Sequence, residues 1–290
     1  MRELILAVAA LVAVATPNRQ PDLDAIIPRS VAVYDKDWEA APDYDYFERD
    51  RTSEETKTYD VRMILGSPYY RLVEVNGRPL PPADRQKEQQ KLDDAVAQRR
   101  SESPAQRAQR LAQYEKDRKR DHLLIGQLTA AFDFKLRAEQ KMDGYDTYEF
   151  QATPKPGYRP PNFETQVLKG MVGRLWIDKE TLQWVKVEAR VIHPVSIEGF
   201  LARVEPGTRF ELENLPVASG VWLAKHFSMA SHSKILFLFP HRTQEDDTYF
   251  GYRPAENSGR TCPAPASPIV GARHASPAAR VAFEIAGIAG

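Results

Sequence analysis

A run of short alternating segments between residues 173 and 252 constrains the fold of this chain more than any other feature. Polar and apolar residues alternate at residues 174–178 and again at residues 185–191. A period of two is typical of strands that are buried on one face. The polar residues 179–181 between these segments predict a tight turn, so the two strands are expected to pair in an antiparallel sheet.

Further strands are predicted on both sides of this pair. They share apolar alternation, end at Gly, Pro, Asn or Ser-His positions, and cover residues 44–47, 58–65, 70–75, 132–137, 148–152, 209–215, 221–229 and 234–239. Two connections contain Asn76-Gly77 and Asp143-Gly144, dipeptides that favour tight hairpin turns. A sheet of this length needs a cover over its apolar face.

The composition changes abruptly at residues 81–122. This segment is rich in charged residues, Gln and Ala and nearly lacks β-branched residues, which favours helix. Ser103, followed by Pro104 and Gln106, has the pattern of a helix N-cap, so two helices are expected. Both have only a thin apolar stripe. We interpret the pair as a solvated flap held by a narrow seam, and a lid or partner-binding element is the alternative.

The N-terminus has the pattern of a secretory signal peptide at residues 1–15. Arg2 precedes an apolar run that ends in small residues at Ala13 and Ala15, as signal peptidase substrates do. The run is too short to cross a bilayer as a helix. A buried N-terminal helix is the alternative. We expect cleavage near Ala15 and export to the periplasm.

The remaining chain is expected to form one domain at residues 16–253, with residues 81–122 as an insertion. An Ala- and Pro-rich tail at residues 254–290 has no sustained period and is expected to be disordered. Pro28 interrupts the apolar pattern before the first strand, which predicts a short helix or two there. The single cysteine, Cys262, cannot form an internal disulfide, so the core alone is expected to hold the fold.

The charge balance argues against nucleic acid as a partner. The chain has 40 basic and 40 acidic side chains, a formal net charge of zero. No excess of positive charge therefore attracts it to a phosphate backbone. The sequence also has no run of Lys and Arg interleaved with stacking aromatic residues.

Motifs for covalent chemistry are absent from the sequence. It contains no Gly-x-Ser-x-Gly, no Gly-rich phosphate loop and no pair of histidines four residues apart with a carboxylate between them. His226 and His232 are expected to face each other across a hairpin centred near Ala230. Two neutral ligands without a third make a poor metal site. We therefore predict no catalytic residue, no metal and no cofactor.

Three tryptophans are the most informative aromatic residues. Trp176, Trp184 and Trp222 each fall on the polar side of their strand's alternation, where bare rings would be costly. Either a helix or loop covers that face, or the rings form the lip of an apolar trough that accepts an acyl chain. On the second interpretation these three residues, with Phe237 and Phe239, are the predicted ligand-binding residues.

The order of these parts resembles the outer-membrane lipoprotein-sorting, LolA-like superfamily, which includes sensor domains related to the sigma-factor regulator RseB. The resemblance covers residues 44–252, and its most specific part is the Gly-x-Leu-Trp-Ile-Asp strand at residues 173–178. It implies an α+β fold, a curved antiparallel sheet forming an unclosed half-barrel covered by helices. It also implies a lipid-binding cavity without covalent chemistry. The charged helical hairpin at residues 81–122 is larger than the simple carriers have.

These observations lead to two hypotheses about function. The first is an exported, non-enzymatic protein that holds a lipid or the acyl part of a lipoprotein, in peripheral contact with a membrane. Such a protein would serve in outer-membrane lipoprotein sorting. The second is a structural or regulatory module whose core is permanently filled and whose charged hairpin binds another envelope protein.

Overall fold

One antiparallel sheet dominates the computed structural model, which describes residues 22–197, 202–235 and 239–256. Within these residues its strands are β1 (Tyr44–Arg51), β2 (Thr56–Ile64), β3 (Ser67–Val75), β4 (Arg78–Pro79), β5 (Phe132–Met142), β6 (Tyr145–Pro154), β7 (Met171–Asp178), β8 (Trp184–Val191), β9 (Val195–Ile197), β10 (Ala202–Val204), β11 (Arg209–Ala218), β12 (Val221–Ile235) and β13 (Phe239–Pro254). The expected signal peptide and nearly all of the tail lie outside the described residues.

The sheet is open. Its order is β4-β3-β2-β1-β13-β12-β11-β8-β7-β6-β5. Off this path, β10 pairs with β12, and β9 pairs with β10. The two end strands of this path, β4 and β5, do not pair with each other. Together with the helices that cover the sheet, this arrangement confirms the predicted α+β fold, an unclosed half-barrel.

Four α-helices are present in the described residues, α1 (Leu23–Ala40), α2 (Pro82–Ser101), α3 (Pro104–His122) and α4 (Leu128–Ala131). Short 3-10 helices lie at Ala41–Asp43, Ile125–Gln127 and Glu164–Gly170. The predicted boundary between α2 and α3 is confirmed, because Ser103 and Gln106 form a reciprocal capping box.

The prediction of one or two short helices around Pro28 is wrong. Helix α1 is a single helix of 18 residues that contains Pro28. A proline inside a helix removes one backbone hydrogen bond and crowds the carbonyl four residues earlier, which costs about 3 kcal/mol. The neighbouring Ile26 and Ile27 are 3% and 5% exposed in the apolar core, and their burial stabilises the continuous helix.

The predicted hairpin near Ala230 is also wrong. Strand β12 continues without a break from Val221 to Ile235 and pairs with β13 over most of its length. His226 lies opposite Thr248, and His232 lies opposite Arg242, so the two histidines do not face each other. The Ser-His residues that suggested a turn are inside the strand, where Ser231 and Ser233 are buried.

The predicted hairpin turns are confirmed by their backbone angles. Asn76 and Gly77 have φ of 52° and 71°, and Asp143 and Gly144 have φ of 51° and 91°. Positive φ at both central residues is the requirement of a type I′ turn. The hairpin β5–β6 also contains an irregularity between Leu136 and Ala138. It changes the face of the sheet to which the side chains of β5 near the tip of the hairpin point.

Candidate functional site

The concave face of the sheet carries a large apolar surface. Strands β5 to β8 and β11 to β13 contribute side chains of one parity to it. They include Phe132, Phe150, Leu175, Ile177, Val191, Phe227, Met229 and Tyr249, each at most 5% exposed. These residues form two clusters on this face.

Short segments cover one half of this surface. The 3-10 helix Glu164–Gly170 places Val167 and Leu168 against it, and Leu124 and Leu128 pack there from the residues around α4. Tyr158, in the loop that follows β6, also packs against this cluster. The cover of this half therefore consists of short turns rather than of a long helix.

Helix α1 covers the other half. Its Ile26 and Ile27 pack in one cluster with Ile177 and Trp184. The ring of Tyr34 stacks on the ring of Trp184 with 4.4 Å between centroids. One long amphipathic helix thus fills the concave face above β6 to β8.

A buried carboxylate, that of Asp37, ties α1 to the sheet. Its Oδ1 accepts a hydrogen bond from the backbone N–H of Trp222 at 3.1 Å and one from Gln183 Nε2 at 3.4 Å. Its Oδ2 is buried, and no described residue donates a hydrogen bond to it. Burial raises the pKa of Asp37 to about 6, partly offset by these two hydrogen bonds.

A column of aromatic rings joins α1 to α3. The His122 ring lies 4.6 Å from the Trp38 ring and 6.0 Å from the Tyr34 ring, and is nearly parallel to the latter. His122 Nε2 is 2.7 Å from Asp35 Oδ1. The guanidinium of Arg118 lies 4.1 Å from the centroid of Trp38 and donates to its backbone carbonyl. Helices α1 and α3 are therefore expected to move together.

Two arginines fix the charged hairpin α2–α3 to the tip of the β2–β3 hairpin. Arg99 donates to the backbone carbonyls of Ile64, Ser67 and Pro68 at 2.8 to 2.9 Å. Burial lowers the pKa of Arg99 to about 10. Three carbonyls thus hold this guanidinium. The hairpin is therefore attached to the sheet by specific hydrogen bonds, in addition to the narrow apolar seam that the sequence predicted.

Arg110 completes this attachment from α3. It makes two hydrogen bonds of 2.7 Å to the carboxylate of Glu102 and one of 2.7 Å to Ser67 Oγ. Its Nη1 also donates to the carbonyl of Leu65. Bidentate pairs of this kind are geometrically specific. Sequence analysis missed Arg99 and Arg110 because arginines in a charge-rich helix have no pattern that separates docked residues from solvated ones.

The predicted ligand-binding tryptophans are buried on two different faces of the sheet. Trp184 lies in the concave cluster beneath Tyr34. Trp176 lies on the other side from Leu175 and Ile177, where it forms a separate cluster with Val185 and Trp222. Tyr145, next to the β5–β6 turn, lies 4.7 Å from Trp222 between ring centroids.

The side chains of the other two predicted ligand-binding residues lie outside the described structure. Phe237 is not among the described residues, and Phe239 is described only by its position in β13, opposite Ile235. The described residues contain no group of three or more His, Cys, Asp or Glu side chains arranged to hold a metal. None of the helices in that part of the chain combines the length and apolar character needed to cross a membrane.

Comparison with known proteins returned solved structures only. No protein-family model matches the chain, and no curated protein matches it by sequence. A LolA superfamily protein from Nitrosomonas europaea is 13% identical, with a TM-score of 0.30, and the match covers 81% of this chain and 94% of that one.

Two further structures give similar values. A domain from Vibrio parahaemolyticus, provisionally described as an outer membrane lipoprotein-sorting protein domain, is 10% identical with a TM-score of 0.29, covering 79% of this chain and 94% of that one. A chain of the Pseudomonas aeruginosa MucA/MucB complex is 12% identical with a TM-score of 0.24, covering 78% and 99%. Structures of the LolA superfamily are thus among those that this chain resembles, as the sequence predicted.

Proposed function

We propose that the protein is an exported, non-enzymatic binding protein that holds a lipid, or the acyl part of a lipoprotein, on the concave face of its sheet. The observation that carries this proposal is the contrast between that face and its cover. The face is apolar over seven strands, and its buried residues form two clusters. Its cover is made of short turns and of one helix tied to the sheet through Asp37.

The mechanism is an exchange of apolar contacts. Ile26 and Ile27 of α1 occupy the face in the empty protein, and an acyl chain takes their place. Each methylene that leaves water contributes about 0.8 kcal/mol. Ten methylenes therefore contribute roughly 8 kcal/mol. The contacts that α1 loses when it is displaced reduce this gain. No bond forms or breaks in this cycle.

Trp184 is the residue proposed to report the exchange, because Tyr34 of α1 stacks on it. Titration of the purified protein with a C16 fatty acid should shift the tryptophan emission, and Trp184→Phe should abolish most of that shift. The matched control is Trp176→Phe, since Trp176 is equally buried but lies on the opposite face. A shift that is unchanged in Trp184→Phe would contradict the proposal.

The remaining predicted binding residues stay proposals that the same titration tests one by one. Phe237→Ala and Phe239→Ala should each weaken binding of the fatty acid if these side chains contact it. Trp222 shares the cluster of Trp176 on the opposite face, so Trp222→Phe should behave as the Trp176→Phe control does unless Trp222 itself contacts the acyl chain. Export is a separate part of the proposal. N-terminal sequencing of the protein recovered from the periplasm should find a chain that begins just after Ala15.

A second function, an interaction module with a permanently filled core, is supported by the docking of α2–α3. Arg99 and Arg110 hold this hairpin rigidly, while the outer side of α2 carries exposed ion pairs such as Lys87–Asp84 and Lys91–Glu88. Mass spectrometry of an organic extract distinguishes the two functions. A co-purifying lipid supports the carrier. A lipid-free protein whose tryptophan emission does not change when fatty acid is added supports the interaction module.

A further inference from the structure

A cleft of about 240 Å³ lies between α2 and the convex face of the sheet. Val61 of β2 pairs with Tyr46, which packs on the concave face, so Val61 faces the same side. Because side chains alternate along a strand, Arg62 and Ile64 face the convex side. Leu92 and Val96 of α2 close the cleft. The cleft is therefore separate from the proposed acyl site, and a ligand can bind in it whether or not the concave face accepts an acyl chain.

The cleft contains a buried carboxylate, Asp45, which is 7% exposed. Its Oδ1 accepts a hydrogen bond of 2.7 Å from the backbone N–H of Met63. Its Oδ2 lies 3.8 Å from Arg253 Nη2, too far for a hydrogen bond. No other described residue donates to Oδ2. Burial raises the pKa of Asp45 above its usual value, which the Met63 N–H and the arginines only partly offset.

The arginines near Asp45 are committed to another acid, Asp60. Its Oδ1 accepts from Arg253 Nη2 at 2.6 Å, and its Oδ2 accepts from Arg62 Nε at 2.8 Å and from Arg71 Nη2 at 2.7 Å. A carboxylate that is 1% exposed and bonded to three guanidiniums holds them firmly. These three guanidiniums therefore donate hydrogen bonds to Asp60 and none to Asp45 Oδ2.

The rim of the cleft adds further negative charge. Asp93 and Glu256 line the rim, and neither forms an ion pair with a described residue. Among the cations that line the cleft, Arg100 alone also lacks an ion pair with a described residue. Between rim and floor the lining is apolar, with Ile64, Leu92 and Val96 as examples. The lining thus combines apolar side chains with a buried carboxylate whose Oδ2 receives no hydrogen bond from a described residue.

We infer that this cleft binds a primary ammonium group carried on a short alkyl chain. The ammonium donates to Asp45 Oδ2, and the alkyl chain lies along Leu92 and Val96. A free diamine or polyamine has this chemistry, and so does the lysine side chain of another protein. Arg100 at the rim faces the outer end of the ligand.

The test uses the full chain labelled with 15N and follows the Met63 amide, whose proton is bound by Asp45. Two probes distinguish the sources, 1,5-diaminopentane and a tripeptide with a central lysine and blocked ends. Both should shift the Met63 amide in a saturable way, and 1-pentanol should not. Tighter binding of the diamine assigns the site to free amines, and tighter binding of the peptide assigns it to a protein side chain.

Asp45→Asn should weaken binding of the better probe at least tenfold, because it keeps the acceptor for Met63 and removes the charge. The matched control is Asp84→Asn, which changes an exposed acid of α2 outside the cleft and should bind as the wild type does. Val96→Phe, which fills the cleft and leaves Asp45 in place, should also lose binding. Unchanged binding in both cleft variants, equal binding of 1-pentanol, or no binding of either amine would overturn the inference.

Discussion

The substitution Asp37→Asn tests whether α1 is tied to the sheet through a carboxylate that is costly to ionise. In the folded protein Asp37 is 3% exposed, and one of its oxygens receives no hydrogen bond from a described residue. Asn keeps an oxygen for the Trp222 N–H and stays neutral at every pH. The variant therefore removes the charge without removing the attachment.

The sign and size of the effect follow from the pKa of Asp37, which burial raises from 3.8 to about 6. Between these values the folded state holds a proton that the unfolded chain has lost, so stability falls as the pH rises through this window. The full difference corresponds to about 3 kcal/mol. Relaxation of the protein around the buried charge reduces it, and we expect about 1 to 2 kcal/mol.

Urea unfolding at several pH values between 4 and 7.5 measures this effect. The free energy of unfolding of Asp37→Asn should match that of the wild type near pH 4 and exceed it by about 1 to 2 kcal/mol above pH 6.5. The control Asp84→Asn removes an exposed acid of α2 and should not reproduce this gain in stability. A pH-independent difference for Asp37→Asn would refute the assignment of the buried charge.

Two further substitutions test the packing around the site. Arg99→Met leaves three backbone carbonyls without their donor and should lower the free energy of unfolding by about 3 kcal/mol. The control Arg100→Met, at an exposed arginine of the same helix, should lower it little. Equal losses of stability in the two variants would contradict the docking role of Arg99. Gly170→Ala would place a Cβ against Val195 Cγ2 and should cost about 1 to 3 kcal/mol in urea unfolding. Gly126→Ala, with nothing within 4 Å, is its control, and an equal loss there would contradict the clash.

Local patterns predicted most of the elements that build the concave face. Period-two alternation identified β7 and β8, and the two turn dipeptides have the positive φ that their chemistry allows. The capping box at Ser103 located the break between α2 and α3. Such features depend on residues within a few positions of each other, so the sequence displays them directly.

Contacts between distant residues account for what the sequence did not predict. Asp37 bonds to the backbone N–H of Trp222, and no local signal separates this aspartate from exposed ones. Helix α1 continues through Pro28 because its flanking isoleucines are buried by the sheet. The long β12 continues through its Ser-His residues because β13 pairs with it there.

The sequence by itself determined the alternation of the strands, the turns and the helix caps, because short-range sterics and apolar periodicity specify them. The tertiary structure decided which helix fills the concave face, which charges are buried, and that Trp176 and Trp184 lie on opposite sides of one sheet. Burial and charge compensation at a site depend on every element that packs there. They are therefore fixed only when those elements meet.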